Sequence, residues 1–271
     1  MIIRLIKTHN EYLVVEKLQK ATWQFQDREI IPINELVTAQ NNGGVVLGAF
    51  DRECLIGFCF GLAGFSPPLV YHCSRMLAVL PKYQHKNIGY KLKLAQRKFA
   101  LKQGLRIIKW TFDPLQSRNA YFNIVKLGVI VRQYVVNLYG YSSSRFNQGF
   151  ETDRLIPEWF IDSKRVKKIL SGDMKIGNLC DYNAVLETTA RKDGFRVPQE
   201  ARLNLKDKKL AVEIPFDIDK LKAKDVKLAQ KWRQYTRIIF QHYFNAGYMV
   251  VSFIVKDSRS FYLLERVKPL N

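Results

Sequence analysis

The sequence predicts an α/β (α+β) fold: a mixed, mostly antiparallel sheet flanked by helices, with a further α/β region after residue 140. Three observations predict it. Short apolar runs with strand-like alternation recur, separated by amphipathic stretches at helical spacing. Turn residues punctuate them, as in Asn41-Asn42-Gly43-Gly44 and Asp51-Arg52-Glu53. The chain has 271 residues, 47% of them hydrophobic, enough for one large core or two smaller ones.

Taken in order, residues 2–6 alternate as a strand. His9 to about Gln24 reads as a helix with Tyr12, Leu13, Val15, Leu18 and Trp23 on its apolar face. Pro32 to Gln40 suits a second, short helix. Strands 45–51 and 54–62 form a hairpin, 63–68 is a loop, and 70–79 is a strand. Met76 to Tyr90 then organises the chain. Its strand ends near Leu80, a polar turn carries Gln84 to Gly89, and a helix runs to about Lys102 with Leu92, Ala95 and Phe99 at helical spacing. Such a turn gathers backbone N–H groups at a helix N-terminus, which favours an anion. Lys82, His85 and Lys86 add positive or polar groups there, so a phosphate-bearing ligand is expected.

Downstream, residues 106–113 read as a strand. Asp113-Pro114-Leu115-Gln116 has the form of a helix start, with Asp as N-cap, Pro at the first helical position and Gln three residues after the cap. Strand 129–138 follows, then a loop from Tyr139 to Gly149. Strand 153–161 contains Pro157, which places it at an edge or a bulge. A basic helix over 162–170, strands at 182–189 and 209–214, and one long helix from Asp217 to Asn245 come next. Gly247 ends that helix, and strands 248–255 and 261–267 complete the pattern.

Composition narrows the function classes. The formal net charge is +20, and both halves of the chain carry the excess. A basic surface attracts phosphates of any kind, but no zinc-finger, helix-turn-helix or RNA-stacking signature accompanies it. A dedicated nucleic-acid partner is therefore not expected. No apolar run approaches the roughly 18–20 residues of a membrane span, and the N-terminal residues lack a signal-peptide pattern. Cys54, Cys59, Cys73 and Cys180 show no metal spacing. Reduced, largely buried thiols, no metal and a cytoplasmic protein are the expectations.

The motifs also carry a resemblance. Gln84-x-x-Asn87-x-Gly89 resembles the pyrophosphate loop, Gln/Arg-x-x-Gly-x-Gly/Ala, of the GNAT superfamily of acyl-CoA-dependent N-acyltransferases. Asn87 stands where the family usually has a glycine; Asn tolerates the left-handed region better than other non-glycine residues. Residues 117–129, ending Lys126-Leu127-Gly128-Val129, resemble the family's fourth helix and its exit. The resemblance covers residues 2–140. A second similarity, to an uncharacterised GNAT-like family, rests on Trp110-Thr-Phe-Asp-Pro, Ser117-Arg-Asn-Ala, Asn137-Leu-Tyr-Gly140, Thr152-Asp-Arg-Leu155, Glu158-Trp159 and Trp232-Arg233 with Gly247-Tyr248. It spans nearly the whole chain.

The resemblance implies a GNAT-like domain over 1–140. Residues 141–271 then form a C-terminal α/β region packed against it, which by element order reads as a partial repeat. It implies acetyl-CoA or another acyl-CoA as co-substrate. The implied cofactor residues are Leu77, Ala78, Val79, Gln84, His85, Lys86, Asn87, Ile88, Gly89, Tyr90 and Ser117. The Val79 N–H would polarise the thioester oxygen. Tyr121 would protonate the departing thiolate, because the family's usual tyrosine position is Ile124 here and Tyr121 lies one turn earlier on nearly the same face. The family's usual glutamate is replaced by Arg75-Met76, leaving Glu29 and Glu53 as remote carboxylates. His9 and His72 read as a helix-start residue and a strand residue, and His85 as a ligand contact. Arg233 and Arg237 share a helix face and suit an anionic acceptor or acyl group, or else ion pairs with nearby acidic residues.

The expected function is transfer of an acyl group, an acetyl group first, to an amine of a small molecule or peptide. A homodimer is left open. The rivals are an acyl-CoA-binding or sensing protein with little turnover, suggested by Arg75 and Ile124, and a nucleic-acid binder, suggested by the charge.

Overall fold

A computed structural model describes residues 1–140, 150–174 and 177–266. The expected loop over 139–149 and the last residues of the expected strand 261–267 fall partly outside them. The chain forms two compact units, each described by itself. Met1–Trp110 and Phe160–Ser163 belong to the first, and Thr111–Gly140, Phe150–Trp159 and the rest of the C-terminal chain to the second. Residues 111–140 thus group with the C-terminal half rather than with residues 1–110, because the strand at Ile130–Val135 pairs with later strands of that half.

The first unit runs β1 (Ile2–Leu5), α1 (His9–Trp23), α2 (Ile33–Asn41), β2 (Val45–Asp51), β3 (Cys54–Ser66), β4 (Leu69–Val79), α3 (Ile88–Lys102) and β5 (Ile107–Lys109). β1 to β4 pair antiparallel in sequence order, and β5 joins β4 in parallel. Thr8 caps α1 in a full capping box with Glu11, which also takes Arg4 at 2.6 Å. One face of the sheet packs Phe50, Phe58 and Phe60 against Tyr12, Val15, Leu18 and Leu36 of α1 and α2. The other face packs Val45, Leu47 and Cys59 against Ile88 and Leu92 of α3. β3 is longer than expected and runs through the expected loop at 63–66, because residues 61–66 pair with 69–74 of β4 around a turn at Pro67-Pro68.

The second unit contains α4 (Ser117–Ala120), which continues as a π-helical segment over Tyr121–Lys126, then β6 (Ile130–Val135), β7 (Arg154–Phe160) and α5 (Lys164–Ser171). β8 (Asn183–Ala184), β9 (Leu186–Ala190), β10 (Arg196–Ala201), β11 (Lys209–Ile214), α6 (Ile218–Lys224), α7 (Val226–Asn245), β12 (Tyr248–Lys256) and β13 (Arg259–Arg266) follow. Its strand order is β7-β6-β12-β13-β11-β8, antiparallel except for β11 with β8, and β9 and β10 form a separate hairpin. Pro157 faces Val131 where the β6–β7 register shifts, so the ladder is already irregular there. Trp159, Trp232, Tyr243, Tyr262, Phe240 and Phe253 fill the core.

Three elements differ from expectation. The strand after α3 is only Ile107–Lys109, and Phe112 contributes an isolated bridge to Leu155. The helix expected from Pro114 begins at Ser117, because the Asp113 carboxylate instead accepts from the Leu115 N–H at 2.8 Å and holds a turn. The expected long helix is two helices broken at Asp225, whose backbone leaves helical geometry while its side chain caps Leu228 N–H at 2.9 Å. Asp225→Ala should therefore cost about 1 kcal/mol of stability, measured by urea unfolding. An unchanged midpoint would show that the break is held by other contacts.

Candidate functional site

The site in the first unit starts from one irregularity in β4. Phe60 faces Met76 and Gly61 faces Ser74, so Arg75 is an extra residue, a β-bulge. On the other edge, β5 pairs only with His72 and Cys73. Among the described residues, the later part of β4 has no ladder partner on that edge. Leu80 N–H donates to Ile56 C=O across the β3 side at 3.0 Å. Strand alternation then turns the Val79 and Leu77 N–H groups toward the open edge. Ala78 points its methyl into the core, and Gln84 Nε2 donates to Val79 C=O at 3.1 Å, fixing the turn against the end of the strand.

The turn itself is built from positive-φ residues. His85 has φ 64° and Asn87, the N-cap of α3, has φ 58°. Alternating left- and right-handed residues aim successive N–H groups into one concavity. Asn87 adopts the left-handed conformation usually left to glycine. No side chain caps α3, so the N–H groups of Ile88, Gly89 and Tyr90 meet whatever sits at the helix end. A Cβ on Gly89 would lie 3.7 Å from Leu77 Cδ2, an ordinary contact. The glycine therefore leaves room on its outer side rather than solving a packing problem. Lys82 and Lys86 lie 5.2 and 5.3 Å from the Tyr83 ring centroid and carry positive charge beside the turn. The turn and the helix end suit an anion, and the open β4 edge suits an extended chain that accepts from its N–H groups.

No family model matches the chain. No curated protein matches it either. Solved structures do. One is a GNAT-family putative acetyltransferase from Desulfovibrio desulfuricans, at 17% identity over 59% of this chain and 98% of that one, with a TM-score of 0.47. Another is a putative acetyltransferase from Salmonella typhimurium solved with acetyl-CoA, at 16% identity over 66% and 99%, with a TM-score of 0.46. A third is the ribosomal-protein-S18-alanine N-acetyltransferase from Escherichia coli, at 15% identity over 60% and 94%, with a TM-score of 0.46.

A cleft of 590 Å³ opens beside the bulge, lined by residues 28–32 of the α1–α2 connection, Glu35 and Thr38 of α2, Phe60 and Leu62 of β3, and Arg75. The connection is held by α1. Gln19 makes a two-bond clamp with the Ile31 backbone at 3.0 and 2.8 Å, and Glu16 accepts from Ile33 N–H at 2.9 Å. Of the two remote carboxylates expected from the sequence, Glu29 lines this cleft and Glu53 lies in the β2–β3 turn. Glu35, on α2, lines it as well.

Behind the bulge lies a polar cluster that the sequence did not signal. Lys93 of α3 is buried and donates to Ser74 Oγ at 3.0 Å and Gln96 Oε1 at 2.9 Å, with its Nζ 3.8 Å from the Trp110 ring centroid. Burial pushes its pKa down to about 7. His72 is fully buried against Gly61 with neither ring nitrogen hydrogen-bonded, and burial, then the nearby Lys93 charge, push it down to about 4. The helical pattern marked α3 as amphipathic but could not show that Lys93 points inward. Cys59 is buried and pushed up to about 12 by burial, whereas Cys54 and Cys180 are exposed, against the expectation of largely buried thiols. Among the described residues no His, Cys, Asp or Glu group has metal-site geometry, and no helix is long and apolar enough to cross a membrane.

The remaining expected site residues lie in the second unit. Tyr121 opens the π-helical segment, half-buried, and Ile124 is core. Ser117 is buried and its hydroxyl is 2.7 Å from Ser260 Oγ. Arg237 is committed to Asp153, at 2.9 Å through both Nε and Nη2, and to Glu151. These are the ion pairs that the sequence offered as the alternative to an anionic ligand. Arg233 is buried, with Nη2 on Asp113 at 2.7 Å.

The Lys93 shift has a testable sign. The unfolded chain protonates this amine below about 10.4, the folded chain only below about 7. Between those values unfolding takes up a proton, so this group makes stability rise with pH. The difference in unfolding free energy between Lys93→Met and the parent should shrink as pH rises from 7 to 8.5, followed by urea titration. A difference that stays constant over that window would show that Lys93 does not titrate near 7.

Proposed function

We propose that this protein is an acyl-CoA-dependent N-acyltransferase, an acetyltransferase in the first instance, acting on the amine of a small molecule or peptide. The observation that carries the reading is the open β4 edge running into the uncapped, left-handed turn at the start of α3. One stretch of backbone offers N–H groups to an amide-bearing arm and to a pyrophosphate in succession. In this reading Leu77, Ala78 and Val79 hold the arm. Gln84 through Tyr90 hold the pyrophosphate, with Lys86 and His85 adding charge and polarity.

Acyl transfer needs an amine, an oxyanion donor and a proton for the leaving thiolate, and much of its rate comes from positioning. The Val79 N–H donates to the thioester oxygen, which gains charge as the amine attacks. Tyr121, expected from the sequence, is the residue to test as the proton donor to the sulfur. The bulge presents Arg75 where the family often has a carboxylate, so the strand supplies no general base. Glu35 and Glu29 in the cleft take the amine proton through water. The acceptor enters that cleft, whose mixed charge and apolar wall of Phe60 and Leu62 suit an amine with a short apolar body.

Calorimetric titration with acetyl-CoA tests the reading. Gly89→Glu adds a negative side chain at the pyrophosphate and should abolish binding. Gln84→Ala frees the Val79 carbonyl and should weaken it several-fold, and Gly89→Ala should change it little. Equal affinity in the parent and Gly89→Glu would remove the basis of the proposal. Tyr121→Phe should lower kcat roughly 10²-fold or more with KM for acetyl-CoA unchanged, read by release of free CoA thiol. An unchanged kcat would assign the proton to another donor.

A further inference from the structure

The second unit contains a cluster that the acyltransferase reading does not use. It gathers motif residues from distant parts of the chain. Arg233 of α7 is 2% exposed, and Nη2 donates to Asp113. Its Nε and Nη1 are buried and have no hydrogen-bond partner. A guanidinium carries five N–H donors, so the Nε and Nη1 hydrogens lack an acceptor. Leaving such donors unmade costs about 1–3 kcal/mol per group.

The neighbouring carboxylates are occupied. Asp153 takes both Arg237 bonds, Tyr134 OH at 2.6 Å and the Asn137 N–H at 3.0 Å. Glu151 pairs with Arg237, and Asp219 accepts from Gln116 Nε2 at 3.0 Å. Asp113 also accepts from Leu115 N–H through Oδ1. The other charged groups within electrostatic reach of Arg233 are cations. Arg154 is 8% exposed, with Nη1 on the Asp153 carbonyl at 2.8 Å, and Lys222 of α6 has its Nζ 4.5 Å from the Phe150 ring centroid. Burial lowers the pKa of both, the Asp113 charge raises them back in part, and the Arg233 charge acts against it. Three cations thus surround Asp113, and the most buried of them has donors to spare.

We propose that the second unit binds a compact oxyanion, a carboxylate or phosphate group, on the Nε and Nη1 donors of Arg233, with Arg154 and Lys222 supplying charge around it. A guanidinium matches two oxygens of either group in its plane. The site goes beyond the acyltransferase reading and stands on residues of this unit alone.

The test uses the full chain, with inorganic phosphate and succinate as probes and sodium chloride at matched ionic strength as reference. Thermal unfolding and calorimetry should show saturable binding of at least one probe beyond the chloride response. Phosphate alone would assign a tetrahedral anion, succinate alone a carboxylate. Arg233→Met should weaken the response at least tenfold, and Arg233→Lys should restore part of it. Lys222→Met, at a half-exposed position, should weaken it several-fold and decides the matter if the Arg233 variants do not fold. Gly89→Glu should leave the response intact, which separates this site from phosphate bound at the α3 turn and keeps its fate independent of coenzyme binding. A parent that answers phosphate and succinate no differently from chloride overturns the proposal. So does equal binding by the parent and Lys222→Met, or a high-resolution map with only water on Arg233 Nε and Nη1.

Discussion

The first unit depends on a parting of backbone. Two parallel strands, β4 and β5, share only the pairs at His72 and Cys73, and the bulge at Arg75 re-aims β4 as it leaves. A strand edge without a ladder is normally a liability, since each N–H and C=O wants a partner. Here the open edge is short, and it ends in a turn that closes back on it through the Gln84 amide. α3 then starts with no side-chain cap. Strand edge and helix end each present N–H groups. The turn between them is closed by its own bonds from Tyr83 N–H to Leu80 C=O and Gln84 N–H to Pro81 C=O, and the two apolar faces of the sheet pack on either side of the strand.

Much of this was legible in the sequence because the determinants are local. The apolar run to Leu80, the polar turn and the helical spacing after Gly89 all lie within a few residues of one another. Asn87 could be judged at its own position, since the left-handed preference is a property of the residue. The hairpins and the exit at Gly247 are local signals too. What was not legible depends on partners far away in the chain. Asp113 has the form of a helix cap, yet its carboxylate is drawn to Arg233, 120 residues on. Ser117 reads as a helix-start hydroxyl near a ligand, but Ser260 claims it. For Arg237 the sequence left an anionic ligand and ion pairs open; its partners Asp153 and Glu151 lie 84 and 86 residues away in the chain. The break at Asp225 was missed because apolar spacing persists on either side of it, while the capping role belongs to one side chain.

The second unit shows a different economy. Several of its polar residues sit inside, among them Asp113, Ser117, Asn123, Thr152, Asp153 and Arg233, and most of these make side-chain hydrogen bonds. Asp153 has four donors, and Asn137, at φ 44°, both donates to Asp153 and accepts from Thr152. Such a network fixes geometry strongly because each member is satisfied only in one arrangement. The unspent donors of Arg233 stand out against that background, where saturation is otherwise the rule.

The contact between Gly61 and His72 has a consequence for how this sequence can drift. A Cβ at position 61 would come within 2.2 Å of His72 Nε2 and 2.8 Å of the Cys73 carbonyl. The imidazole has no hydrogen bond to give up, but the carbonyl belongs to the strand ladder and does not move. A smaller residue at 72 would admit a side chain at 61 only halfway. The two positions are therefore not free to vary singly or even as a pair: a third change, in the path of β4 at Cys73, has to come with them. Cys73 is also the last residue that β4 shares with β5, so an adaptive route through position 61 passes through the point where the two strands part.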